Sequence, residues 1–313
     1  MDKLLKWIQT TPYKDYSLKV ASADASFRKY YRLSKADKSF IVMDSSLELD
    51  SLPPFIDITA RLLNAGVKAP RIFEQNETEG FLILEDFGDL QLLDDLKNSN
   101  FKMHYKSAID EILKMQNANT DSLPLYDKDF LHLEMGLMQE WYLEKKLLCT
   151  LNTDEEKLIE NALNSISKVV LQQPQGLFVH RDFHSRNIML TPKGEIGIID
   201  YQDAMSGAIT YDLVSLLKDC YIAFAREEIE ELALYFRDKK GLNTSNEEFL
   251  KWFDFMGLQR HIKVLGIFSR LHIRDKKDGY LKDIPLVLNY TIETALRYEE
   301  TREFAKFLQR VTV

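Results

Sequence analysis

Cysteine is nearly absent: Cys149 and Cys220 are the two in 313 residues. Two cysteines build no disulfide framework, and these do not form a C-x-x-C pair of the kind that holds zinc. Both read as packing residues of a reducing compartment. A basic excess is missing too. The 41 Lys and Arg are outnumbered by 49 Asp and Glu, for a formal charge of −8. That argues against nucleic-acid binding, which draws its affinity from cations on phosphates, while leaving room for a local basic pocket. No apolar run nears the roughly 18 residues that a bilayer crossing needs. Residues 1–9 show neither the apolar stretch nor the small-residue cleavage site of a signal peptide. A cytoplasmic monomer with no membrane and no nucleic-acid partner is expected. Repeats, low-complexity tracts and linkers are also lacking.

What is present is an ordinary globular composition, 45% hydrophobic with mixed charges, in a chain long enough for two modest lobes. Leu4, Leu5 and Ile8 predict a short leading helix within residues 1–17. Residues 27–33 and 40–43 read as an antiparallel hairpin about a turn at 35–38. Pro53 and Pro54 open a helix that runs to about Asn64 and stops at Gly66. Strands follow at 71–74 and 81–84. Beyond Gly88, helical periodicity holds at 90–96, 102–116, 128–148 and 154–171. A β interlude at 176–203 breaks it, and helices resume from Thr210. A strand-rich part, 1–88, thus precedes a mostly helical part, 89–313, and a cleft between two such lobes is a natural place for a ligand.

The chemistry concentrates at His180-Arg181-Asp182, with Asn187 five positions after the aspartate and Asp200 thirteen after the asparagine. This is the H-R-D-x-x-x-x-N catalytic-loop pattern followed by a strand, Ile196 to Ile199, that ends in an acid. Phosphoryl transfer from ATP needs a carboxylate at the acceptor hydroxyl and oxygen ligands for the Mg²⁺ that bridges the phosphates. Asp182 is the expected base, and Asn187 and Asp200 the expected magnesium ligands. His180 is expected to hydrogen-bond the loop, and His184 to face the acceptor. A rival pattern exists: His180, Asp182 and His184 alternate and could hold zinc with Asp200. It leaves Asn187 and Asp203 unexplained.

Residues 180–187, together with Ile199 to Ala204 and Gly207 to Ser215, closely resemble the aminoglycoside phosphotransferase/choline kinase-like family. Ala23 to Arg32, Leu84 to Gly88 and Gln259 to Arg270 resemble its anomeric sugar kinases of N-acetylmuramate and N-acetylglucosamine. The resemblance spans most of the chain. It implies an α+β, bilobal protein kinase-like fold, with a small antiparallel-sheet N-lobe for the nucleotide and a large helical C-lobe for catalysis and the acceptor. It also implies Asp212 as the structural acid bracing the catalytic loop, and an amino sugar 1-phosphate product made in peptidoglycan recycling.

Three departures from protein kinases bear on function. The loop before Arg28 holds no glycine, so its backbone, with Ser26 and Phe27, either approaches phosphate or makes a plain turn. Where a V-A-I-K lysine belongs, the strand reads Phe40-Ile41-Val42-Met43, and the following helix offers only Asp57 instead of the partner glutamate. Either Arg28 or Arg32 is then the candidate phosphate cation, unless both are surface arginines. Finally, only eleven residues separate Asp200 from Asp212, too few for a long activation segment. That favours a small-molecule acceptor.

Backbone groups at Glu85 to Phe87 are expected to read the adenine edge, with Val42 and Met189 as apolar walls or simply core. Arg260, Lys263, Arg270 and Arg274 fall near one face of a helix over 258–274, either as a solvated stripe or as a site for an anionic group such as a lactyl carboxylate. Asp203 is a candidate for sugar hydroxyls. Two other readings stay open: a kinase of another small hydroxyl acceptor, of aminoglycoside, choline, homoserine or methylthioribose type, and a catalytically silent nucleotide-binding scaffold.

Overall fold

The computed structural model describes residues 1–22 and 28–312. In chain order these form helix α1 (Asp2–Gln9), strands β1 (Ser17–Ser22), β2 (Lys29–Lys35) and β3 (Lys38–Asp44), and helix α2 (Leu52–Asn64). Strands β4 (Ile72–Asn76) and β5 (Phe81–Glu85) and a single turn, α3 (Leu92–Asp95), come next. Helices α4 (Phe101–Met115), α5 (Lys128–Leu137), which continues as a π-helix over Met138–Lys146, and α6 (Thr153–Gln172) follow. Four short strands are β6 (Leu177–Val179), β7 (Ile188–Leu190), β8 (Ile196–Ile198) and β9 (Met205–Gly207). The remainder is α7 (Tyr211–Leu217), α8 (Arg226–Lys240), α9 (Asn246–Ile273), α10 (Ile284–Leu296) and α11 (Glu299–Val311). The chain divides into two compact units, Met1–Asp95 with Arg186–Asp203, and Leu96–Ser185 with Ala204–Val313.

The first unit is built on a five-stranded antiparallel sheet in the order β1-β2-β3-β5-β4. The β2–β3 hairpin keeps register from Lys29↔Asp44 to Lys35↔Lys38. Strand alternation then decides which side chains do what. Tyr31, Leu33, Val42 and Ile83 pack with Leu4 and Ile8 of α1 in one core. Their neighbours Tyr30, Arg32, Ile41 and Leu84 turn to the other face. Proline suits the first turn of a helix, so Pro53 and Pro54 start α2, which buries Phe55, Ile58, Thr59 and Leu62 at helical spacing. Phe55 stacks on Tyr201 at 5.2 Å, and the Thr59 and Tyr201 hydroxyls are 2.8 Å apart. The β7–β8 hairpin docks through Leu190 N–H to the Leu90 carbonyl and Ile198 N–H to the Lys68 carbonyl, each 2.9 Å.

The second unit is predominantly helical, and its centre is α9. Residues 253–266 of this helix are buried without a break, because α5, α6, α7, α8 and α10 all pack against it. A helix covered on every side shows no single apolar stripe. Gly266 permits close approach to α5: a Cβ there would stand 2.4 Å from the Leu137 carbonyl carbon. Among the described residues no helix is long and apolar enough to cross a membrane.

Candidate active site

In the first unit the sheet face that carries Tyr30, Arg32, Ile41 and Leu84 borders a cavity of about 290 Å³. Phe55, Phe87, Met189, Ile199 and Tyr201 complete its apolar lining, and Asn187 and Asp200 stand in its wall. Glu85 and Phe87 line it. Val42 does not: the pleat sends it, fully buried, into the core beneath α1, and Ile41 takes the wall position. Met43, on the same face as Ile41, is fully buried.

Arg32 is the one Lys or Arg among the described lining residues, against Glu85, Asp86, Asp89 and Asp200. Its guanidinium is already engaged. Nε donates to Asp86 at 2.7 Å, while Nη1 and Nη2 donate to Asp89 at 2.9 and 2.8 Å. The hydrogen bonds to Asp89 lead in raising the Arg32 pKa, and Arg32 in turn pulls Asp89 down. Arg28 is buried nearby, with Nε donating to the Ser51 hydroxyl at 3.2 Å and its guanidinium 5.9 Å from the Phe55 ring centre. Ser26 and Phe27 lie outside the described residues.

Asn187 and Asp200 meet at the open end of the β7–β8 hairpin. Ile199 N–H donates to the Asn187 carbonyl at 3.1 Å, and Asn187 Nδ2 donates to Asp200 Oδ2 at 3.3 Å. Gln202 Nε2 steadies the other carboxylate oxygen at 3.0 Å. An amide oxygen and a carboxylate are hard oxygen donors, so the pair fits magnesium in type. Asp200 has φ +66, a left-handed conformation that non-glycine residues seldom adopt and that collects at functional sites. The zinc pattern finds no counterpart: among the described residues no three His, Cys, Asp or Glu side chains gather as metal ligands.

In the second unit the catalytic loop follows β6. Arg181 is also left-handed, with φ +77, and the groups that hold it there are visible. The buried carboxylate of Asp212 accepts the N–H of His180 at 2.8 Å and of Arg181 at 3.1 Å. Arg181 Nη2 donates to Glu134 at 2.7 Å, and Lys263 Nζ lies 2.9 Å from the same carboxylate. The Tyr126 hydroxyl bonds it too. His180 Nδ1 accepts the Asp182 N–H at 3.2 Å. Asp182 itself keeps 46% of its side-chain surface open. The surrounding protein acts to raise its pKa, but the charges of Lys263, Arg260, His184 and His180 win and hold it at about 2. A solvent-reachable carboxylate kept ionised is free to accept a hydrogen bond from a hydroxyl and orient it.

The remaining candidates fall in different places. His184 sits beside Asp182, its N–H on the Asp182 carbonyl at 3.0 Å and its ring edge-on to Tyr221. Arg260 and Lys263 form no solvated stripe: they are 2% and 4% exposed, because α9 is covered on that side as well. Arg270 is half-buried, with Nε lacking a hydrogen-bond partner among the described residues. Arg274 is exposed and paired with Asp275. Asp203 belongs to the first unit and is exposed, with Gln202 donating to it at 3.2 Å. The structure therefore groups Asn187 with Asp200 in one unit, and Asp182 with His180, His184, Asp212, Arg260 and Lys263 in the other. Two site acids carry no motif. Glu134 is one; Asp219, which accepts the Ser185 N–H at 2.8 Å, is the other. A buried Lys218-Asp219 pair ending an apolar run is the one local hint.

Residues 17–251 match the model of the APH family, described as the phosphotransferase enzyme family. An N-acetylmuramate/N-acetylglucosamine kinase of Neisseria meningitidis serogroup B is 37% identical, the match covering 95% of this chain and 92% of that protein. A protein of the same name from Pseudomonas aeruginosa is 35% identical, over 92% and 86%. Among solved structures, a Plasmodium vivax ethanolamine kinase superposes with a TM-score of 0.67 at 12% identity, covering 92% of this chain and 86% of that one. A likeness at that identity speaks for the fold alone.

Proposed function

The chain belongs to the phosphotransferase enzyme family, and on that premise we propose that it is an ATP-dependent kinase of N-acetylmuramate and N-acetylglucosamine, acting at the anomeric hydroxyl to give the sugar 1-phosphate. The observation that carries the acceptor is the 37% identity, over 95% of the chain, with a relative of that name. The eleven-residue interval between Asp200 and Asp212 agrees with a small acceptor.

The first lobe, 1–88, serves the nucleotide. Backbone groups at Glu85 to Phe87 read the adenine edge, Ile41 and Met189 flank the ring, and Arg28 or Arg32 with Ser26 and Phe27 approaches the phosphates. Asn187 and Asp200 hold magnesium, which when bound draws off the charge that builds on the phosphate oxygens. The second lobe, 89–313, serves the acceptor. Asp182 takes the proton of the anomeric hydroxyl as that oxygen attacks the terminal phosphorus. The bond from phosphorus to the bridging oxygen breaks, and its electron pair leaves with ADP. His184, Asp203 and Arg270 contact the sugar, Arg270 suiting a lactyl carboxylate. Arg260 and Lys263 act on the acceptor through the charge they set around Asp182, and His180 and Asp212 hold the loop. The enzyme works as a cytoplasmic monomer in the recovery of peptidoglycan sugars.

Phosphorus NMR of the product made from MgATP and each sugar tests this. A phosphate coupled to the anomeric proton is expected. A product only with an aminoglycoside or choline, or ATP binding without sugar-stimulated ADP release, would defeat the reading.

A further inference from the structure

Three buried side chains grip the catalytic loop from outside it. Asp212, on α7, takes the His180 and Arg181 N–H groups. Asp219, just beyond α7, takes the Ser185 N–H at 2.8 Å. Arg260, on α9, donates from Nη1 to the Arg181 carbonyl at 2.9 Å. Two anions thus sit on backbone donors, and one cation sits on a backbone acceptor, at the residue whose φ is +77.

The acids suit the N–H groups they receive. The arginine is harder to account for. It is 2% exposed, and its Nε has no hydrogen-bond partner among the described residues. Burying a guanidinium short of one partner is unfavourable, and a neutral amide would satisfy a carbonyl at less cost. The neighbouring cations have close carboxylate partners: Arg181 and Lys263 lie 2.7 and 2.9 Å from Glu134. For Arg260 the one carboxylate within 4 Å, among the described residues, is Asp182, at 3.9 Å. The charge of this arginine is therefore directed at Asp182, while its donor holds the peptide from which Asp182 projects.

We propose that Arg260 is the positioning residue of the base: it fixes the Arg181–Asp182 peptide through the carbonyl and orients the Asp182 carboxylate through its charge. The proposal rests on Asp182 being the base. The other charged or titratable groups around Asp182 and Arg260 include His180, Arg181 and His184 of the loop, Lys263 on α9, Tyr211 and Asp212 on α7, Asp219 and Cys220 just beyond it, and Glu134 on α5. Arg260 both grips the loop backbone, at the Arg181 carbonyl, and faces the Asp182 carboxylate.

The experiment compares Arg260→Met, Arg260→Lys and Asp182→Asn in the full chain, reading kcat, sugar KM, MgADP affinity and the thermal melt. Arg260→Met should lower kcat by about a hundredfold, because a misdirected base loses the positioned geometry. Sugar KM and MgADP affinity should hold. Arg260→Lys, which keeps a charge and a donor, should restore about tenfold of the lost kcat. Unchanged kcat in folded Arg260→Met, or no rescue by Arg260→Lys, would overturn the proposal. So would a raised sugar KM with kcat intact, which marks an acceptor contact, or unfolding of both variants, which marks a purely structural part. Wild-type turnover in Asp182→Asn would instead remove the base reading itself.

Discussion

The ring of Phe87 fills the place where a β-carbon on residue 197 would stand, its Cδ2 2.5 Å and Cε2 2.7 Å from that point. Gly197 pairs with Met189 across the β7–β8 hairpin, and Phe87 and Met189 line the same cavity. The absence of one side chain thus lets Phe87, two residues past β5, settle against the hairpin that Asn187 and Asp200 flank.

Gly197→Val should therefore push Phe87 into the cavity. Overpacking of this kind costs about 1–3 kcal/mol, so the melting temperature should fall and the Kd for ATP should rise. Calorimetric titration of ATP checks it. An unaltered Kd would show that Phe87 is no part of the nucleotide wall.

Nucleotide binding should depend on the metal, and not turnover alone. The cavity lining sets Glu85, Asp86, Asp89 and Asp200 against Arg32, whose fork is taken up by two of those acids. Bringing phosphates near such a lining without a divalent cation is electrostatically unfavourable, by on the order of tenfold or more in affinity. ATP titrated with magnesium and then with a chelator measures the difference. Equal affinities would mean that chain cations hold the phosphates.

Asp182→Asn should leave MgADP affinity near the wild-type value and cut kcat by about 10²–10⁴, the usual share of a general base. Because the native carboxyl is held at about 2, it stays ionised throughout the neutral range. Any acid limb of kcat/KM above pH 4 in the wild type would have to come from another group. A rate measured from pH 4 to 8 with the folded state verified at each point decides this.

Acid stability should trace to Asp254. Its buried carboxylate meets Lys218 at 2.9 Å, Arg226 at 2.8 and 2.7 Å, and the Tyr298 hydroxyl at 2.9 Å. Burial opposes ionisation, yet the two cations bring its pKa from 3.8 down to about 2. A depressed carboxyl stabilises the fold fully above its unfolded value, and that contribution disappears as pH falls from about 4 through 2. Asp254→Asn, which leaves Lys218 and Arg226 without their partner, should cost about 3–5 kcal/mol at neutral pH and blunt the acid dependence. Denaturant melts at pH 7 and pH 3 check both. Equal pH sensitivity in variant and wild type would count against the assignment.

Strands β2 to β5 lie within two residues of where apolar runs and turn residues place them, because turns bracket them and β2, β3 and β5 bury apolar side chains. The edge strand β1 escaped notice for the opposite reason: its Val20 is 68% exposed, so it carries no buried pattern. Val42 was misplaced by one step of the pleat, which alternation alone leaves ambiguous in the all-apolar run Phe40 to Met43. The stripe of cations on α9 was legible as a spacing but not as a burial, since nothing local says that five helices enclose it. Asp182, Asn187 and Asp200 are recognisable because a short loop and hairpin fix their spacing. Glu134 and Asp219 are not, because each meets the loop only through tertiary packing.

The hairpin segment Arg186–Asp203 belongs with Met1–Asp95, although the chain reaches it only after building much of the helical unit. On a ribosome the five-stranded sheet emerges early, yet the hairpin segment that completes its unit follows only after residues 96–185 have been made. A nascent chain that ends before residue 187 therefore carries the sheet but none of the cavity wall that Asn187, Met189 and Tyr201 supply.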